Sequence, residues 1–166
     1  AALDRAADEP GAELFAAYCR ALILAMVGDA EGALDILQAP MGLHEMLNRR
    51  GTMAYVQLLG QVDRFDDALA EIDARFPGST DPKLARMRAA YEVGQSLPFD
   101  MIAGPAEGMA EVYALMAGVI LSPQNAQDAL LYAQAALAIS PDLSDARIVT
   151  GQIFEELGLL DLADAA

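Results

Sequence analysis

At 166 residues the chain is long enough to close a sizeable core. With 34 alanines, no Trp and 6% aromatic residues, that core is expected to consist of closely packed helices rather than a sheet. The net charge of -15 repels phosphate backbones and sets nucleic acid aside as a partner, and no apolar run reaches the roughly 18 residues of a membrane span, so no membrane insertion is expected.

Apolar periodicity predicts a first pair of helices over residues 11–27 and 30–38, turning at Gly28 and Asp29, with Ala33 as the small contact residue of the second. Cys19, the sole cysteine, lies on the apolar first helix. A small buried hydrophobe is the reading there, because no His stands nearby to activate a nucleophile and no second Cys exists for a disulfide. The stretch GDAEGALD carries carboxylates without the spacing of a calcium loop. A second pair is predicted over 43–61 and 65–76, turning at Asp63–Arg64, with Ala68 as its contact residue. His44 opens a short HEML stretch that resembles the start of a zinc-protease helix. That chemistry needs a second His four residues on, and His44 is the only one. It is expected on a helix surface or in a loop.

A third first-helix is predicted over 82–95, with Pro82 suited to its first turn. Where a second helix should follow, SLPFDMIAGP (96–105) offers two prolines and a glycine, enough room for one short turn at most. Helices are then expected over 106–121, 124–139, 143–157 and 160–166. Across the chain the charge is uneven. Residues 1–48 carry -6, residues 49–88 carry +1 and residues 89–166 carry -10. Of the eight methionines most are expected in the core, with Met53 the one to test as a surface contact.

The last third of the chain repeats. Slid by 34 residues, Ala117 meets Gly151, Ile120 meets Phe154 and Ala129 meets Ala163. Small residues fall on small ones and large apolar residues on large ones, the mark of a helical hairpin repeat. Two helices approach closely only where small side chains meet, which accounts for Ala129 and Ala136 seven apart on one helix face. Pro141 then ends the helix. On Tyr113, Met116, Ala117 and Ile120, followed by Ala129, Ala133, Ala136 and Pro141, the chain resembles the tetratricopeptide repeat family. The next unit matches with Gly151, Phe154, Gly158 and Ala163, then stops inside its second helix.

The resemblance implies an all-α fold: a right-handed α-α superhelix of about five hairpins spanning residues 1–166. Their approximate ranges are 11–38, 43–76, 82–105, 106–141 and 143–166, the third degenerate and the last truncated. It further implies a concave wall lined by first helices that holds a peptide or partner protein. Carried over by register, that wall would show Phe15, Tyr18 and Leu22, then Arg50, Met53 and Gln57. Lys83 and Arg86 lie on the irregular third unit. Glu111, Ala114 and Gly118 follow, then Asp145, Ile148, Gln152 and Glu155. Family members that clamp a chaperone's terminal carboxylate use lysine and asparagine on these faces; here Tyr18, Leu22 and Ala54 stand at those positions, so that clamp is not expected.

The resulting expectation is a non-catalytic scaffold with no cofactor and no metal. An acidic segment of a partner would meet Arg50, Lys83 and Arg86, unless these simply balance Asp63, Asp66 and Asp67 on a solvated surface. The alternative is a spacer or oligomerisation segment. In that case residues 96–105 would fold inward with Phe99 as a plug, and the raw edge at Leu159–Leu162 would pair with another surface. The stretch LPFDMIAGPAEGMAEV also resembles part of some alphaproteobacterial tetratricopeptide proteins of the cell envelope, which implies a periplasmic or envelope location. The Ala start and the unfinished last repeat read as a piece of a longer protein.

Overall fold

The computed structural model describes residues 13–39, 43–46 and 49–164, which contain helices and turns and no strand. The chain divides into two compact units, Ala1–Ala103 and Gly104–Ala166. In the first unit lie α1 (Glu13–Met26), α2 (Ala30–Leu37), α3 (Leu43–Met46), α4 (Arg49–Gln61), α5 (Phe65–Arg75) and α6 (Pro82–Glu92). The second holds α7 (Pro105–Ile120), α8 (Ala126–Ile139), α9 (Ser144–Glu156) and α10 (Leu160–Ala163). Of the helix predicted over 43–61, residues 43–46 and 49–61 are described, as α3 and α4, and residues 47–48 lie outside the described residues. The outer ends of the predicted helices 11–27 and 160–166 lie partly outside the described residues.

Four first-helices end by the same device. Gly28, Asp63, Gly94 and Gly158 adopt φ values of 85°, 61°, 68° and 73°. In each case the next residue returns its N–H to a carbonyl five positions back: Asp29 to Leu24, Arg64 to Leu59, Gln95 to Ala90 and Leu159 to Phe154, at 2.8–2.9 Å. This is the closing bond of a Schellman turn, and left-handed backbone suits glycine and is tolerated by aspartate. After three of the turns the next residue takes φ near -90° with ψ of 73° (Asp29), 57° (Arg64) or 60° (Leu159), and a second helix starts at once. After Gly94 no helix starts. Pro98 supplies no N–H and biases Leu97 away from helical backbone, so the chain runs on without regular secondary structure from Gln95 to Asp100. The turn chemistry of a hairpin is present there without its second helix.

In the first unit α4 is central. It packs against α2, α3, α5 and α6, and every residue from Gly51 to Gly60 is buried. A helix covered on all sides is what an interior position demands. Where it meets α6, the Tyr91 ring lies over Gly60. A Cβ at Gly60 would stand 2.5–2.7 Å from the ring and hydroxyl of Tyr91. Gly118, inside α7, offers the opposite case, since a Cβ there would meet only Val149 Cγ2 at 4.0 Å. Removing a glycine from a helix gains about 1 kcal/mol, while forcing atoms into a packed core costs about 1–3 kcal/mol. Gly118→Ala is therefore expected to stabilise by about 1 kcal/mol and Gly60→Ala to destabilise by up to about 2 kcal/mol. Urea titration of the two variants checks the opposite signs.

In the second unit α8 packs on α7 and α9, and α9 in turn on α10. Ala129, Ala133 and Ala136 of α8 are fully buried. Ala129 and Ala133 share a cluster with Ala117, Val149 and Ile153, and Ala136 another with Ala110, Ala114, Leu143 and Ala146. The small residues of the repeat thus sit where helices touch. Ala163 of α10 is half-buried.

Candidate binding surfaces

The first surface is a polar wall on α4 and α6. Asp81 starts α6 by accepting the N–H groups of Lys83 at 2.6 Å and Leu84 at 3.2 Å, with Pro82 in the first turn. Burial raises the Asp81 carboxyl, but those two N–H groups and the paired Arg49 outweigh it and hold it below its ordinary value. The cap fixes where Lys83 and Arg86 leave the helix, three residues apart and hence on one face. On α4, Arg50 and Gln57 lie seven apart, also on one face.

These four side chains converge on the irregular segment after α6. Gln57 donates from Nε2 to Asp100 Oδ1 at 2.6 Å, and the Asp100 N–H returns to Gln57 Oε1 at 3.2 Å. Lys83 Nζ stands 2.6 Å from the same carboxylate and Arg86 Nη2 3.6 Å. Arg50 Nη2 donates to the Met101 carbonyl at 2.7 Å. Met101 and Ile102 are buried, while Phe99 is only half-buried. Magnitudes separate the roles. Ion pairs this exposed contribute about 0–1 kcal/mol each, whereas burying a Met or Ile side chain contributes about 1.5–3 kcal/mol. The apolar pair anchors the segment and the polar set fixes its register.

Burial raises the Asp100 carboxyl, but hydrogen bonds from Lys83 and Gln57 and the charges of Lys83 and Arg86 bring it below its ordinary 3.8. Its contribution to holding the segment is complete above 3.8 and is lost as pH falls through the lower folded value. The Ile102 methyl resonances are accordingly expected to stay constant from neutral pH down to about 3.8 and to move only below it. In Asp100→Asn that movement should vanish. Nearby, the Tyr91 hydroxyl is pushed up to about 12 by burial and by the Asp100 charge, against the opposing charge of Arg86, so it stays neutral throughout this range.

The sequence-predicted wall residues fall into two groups. Arg50, Gln57, Lys83 and Arg86 are brought together, on a segment of the chain itself. Lys83 and Arg86 pair with Asp100, and Asp67 pairs with Arg64. Tyr18, Leu22, Met53, Glu111 and Ala114 are buried, and Phe15 is half-buried. On α9, Asp145 is half-buried, while Ile148, Gln152 and Glu155 are exposed. These last three line an open cavity of about 470 Å³ with Arg147, Gly151 and Ala163. Sequence reasoning missed a second cavity of about 570 Å³ between α7 and α8, walled by Tyr113, Met116, Ile120, Leu131 and Tyr132. Its signal was the exposed flank of Leu131 on a helix otherwise read only for its alanines.

Cys19 is half-buried and burial raises its thiol, which works against a thiolate nucleophile. His44 is half-buried, with Nδ1 3.2 Å from the Leu37 carbonyl and its ring 5.3 Å from that of Tyr55. Among the described residues no three His, Cys, Asp or Glu side chains gather as metal ligands would, and no helix is long and apolar enough to cross a membrane. Compared with known protein families, curated proteins and solved structures, the chain matches none.

Proposed function

We propose that the chain is a non-catalytic helical-repeat module that binds segments of other proteins along the faces of its first helices, α4 and α6 in one unit and α9 in the other. The observation that carries this reading is the polar wall, which already holds an irregular, aspartate-bearing segment of the same chain. A surface that satisfies both the carboxylate and the backbone of one non-helical segment has the chemistry to bind another. The recurrent turn geometry and the buried alanines support the tetratricopeptide reading, in which the hairpins would continue as a right-handed superhelix. On α9 the exposed Ile148, beside Gln152 and Glu155, offers an apolar contact with a polar rim.

A peptide array probed with the full chain tests the proposal. Bound peptides should lose at least tenfold in affinity on Arg50→Glu or on Ile148→Asp. If neither substitution weakens any bound peptide, the reading fails. A second reading, self-association or stacking through α10, is favoured by the exposed Leu159, Leu160 and Leu162. Sedimentation at rising concentration should then show a dimer that Leu160→Glu abolishes.

A further inference from the structure

We infer that residues 96–103 are a displaceable occupant of the α4–α6 wall, and that the partner which replaces them is a peptide segment carrying an aspartate followed by two apolar residues. The inference rests on the proposed peptide-binding role and names its ligand. The wall specifies that ligand atom by atom. One carboxylate must reach Lys83 Nζ, Arg86 Nη2 and Gln57 Nε2 together, as Asp100 does. The N–H of that same residue must reach Gln57 Oε1, and the carbonyl of the next residue must reach Arg50 Nη2. The two residues after the aspartate must be apolar, because Met101 and Ile102 are buried.

Charge complementarity selects the partner. Two cations, Lys83 and Arg86, converge on a single acid in a chain whose net charge is -15. A basic peptide would be repelled by Lys83 and Arg86. A neutral one would leave Lys83 and Arg86 without the counter-charge that Asp100 supplies.

The occupant is also held in a way that permits exchange. Asp100 is 39% exposed and Lys83 31% exposed, so water reaches the ion pair. The two residues just before Asp100, Pro98 and Phe99, are exposed and half-buried. An incoming strand can therefore engage the carboxylate site as the resident one leaves, without opening the helices.

The probe is a fluorescein-labelled peptide of sequence SLPFDMIAG, titrated into the 166-residue chain and read by anisotropy. The wild-type chain should bind it weakly, because its own strand competes. Asp100→Ala, which loosens that strand and leaves the wall intact, should bind at least tenfold more tightly. Changing the peptide's aspartate to asparagine, or Lys83→Glu in the Asp100→Ala chain, should remove the gain. Circular dichroism and the milder Asp100→Asn chain guard against loss of folding; the latter should show a smaller gain in the same direction.

Equal binding by wild-type and Asp100→Ala chains would overturn the inference. So would a dimer formed by exchange of residues 96–103 between copies, since the occupant would then be a second copy. Array peptides weakened by Ile148→Asp would in either case leave the broader binding role standing.

Discussion

Replacing Ile153 by alanine is expected to cost about 2–5 kcal/mol, while Ile148→Ala, five residues earlier on the same helix, should stay within about 0.5 kcal/mol. Ile153 is fully buried in the cluster formed by Ala117, Ala126, Ala129, Ala133 and Val149. Truncating it removes methyl groups from water-free contact and leaves a hole that alanines cannot fill, because they have no side chain to swing in. Ile148 is 56% exposed and leaves no such hole. Hydrogen exchange of α7, α8 and α9 during a urea titration reads the difference locally. Equal losses for the two variants would mean that α9 does not turn the face described here toward the core.

The second large effect comes from the opposite change. Ala129→Leu should cost about 1–3 kcal/mol, and more if the helices cannot separate. Ala129 is fully buried between α7 and α9, so three extra carbon atoms have no space to enter. Ala138→Leu, on the exposed side of α8, is the control and should be nearly neutral. Thermal melts of the pair check it; a neutral Ala129→Leu would remove the physical reason for the alanine spacing. Both predictions concern the second unit, whose core consists largely of small residues and so has little slack in either direction.

Much of the helical pattern was legible in the sequence because its punctuation is local. Pro82 starts α6, Gly28 and Gly158 end helices by left-handed backbone, and the alanine spacing marks the contact faces. Even the failed second helix after Gly94 could be read from Pro98. What escaped was the identity of the attachment. Phe99 was expected as the plug from its size, yet Asp100 makes the polar contacts and Met101 and Ile102 are the buried anchors. Local patterns cannot pair Asp100 with Gln57 or Met101 with Arg50, which lie more than forty residues apart.

A signal was nonetheless present. Lys83 and Arg86 share a helix face, and Asp100 is the only acid in the irregular stretch that follows. The buried state of Tyr18, Met53, Gln57, Glu111 and Ala114 was illegible for a related reason. A repeat register states which way a side chain leaves its helix. It is silent on what lies over it.

The turn at Gly94 carries a consequence for redesign. Its backbone already matches the turns at Gly28, Asp63 and Gly158 through the left-handed residue and the returning N–H. What separates it from a complete hairpin is composition alone, in the eight positions from Ser96 to Ala103. Grafting a strong helix former there, with alanine at the contact position and no proline, should convert the strap into a regular hairpin arm. The exchange would abolish the carboxylate latch and leave Arg50, Lys83 and Arg86 facing a helix of the engineer's choosing.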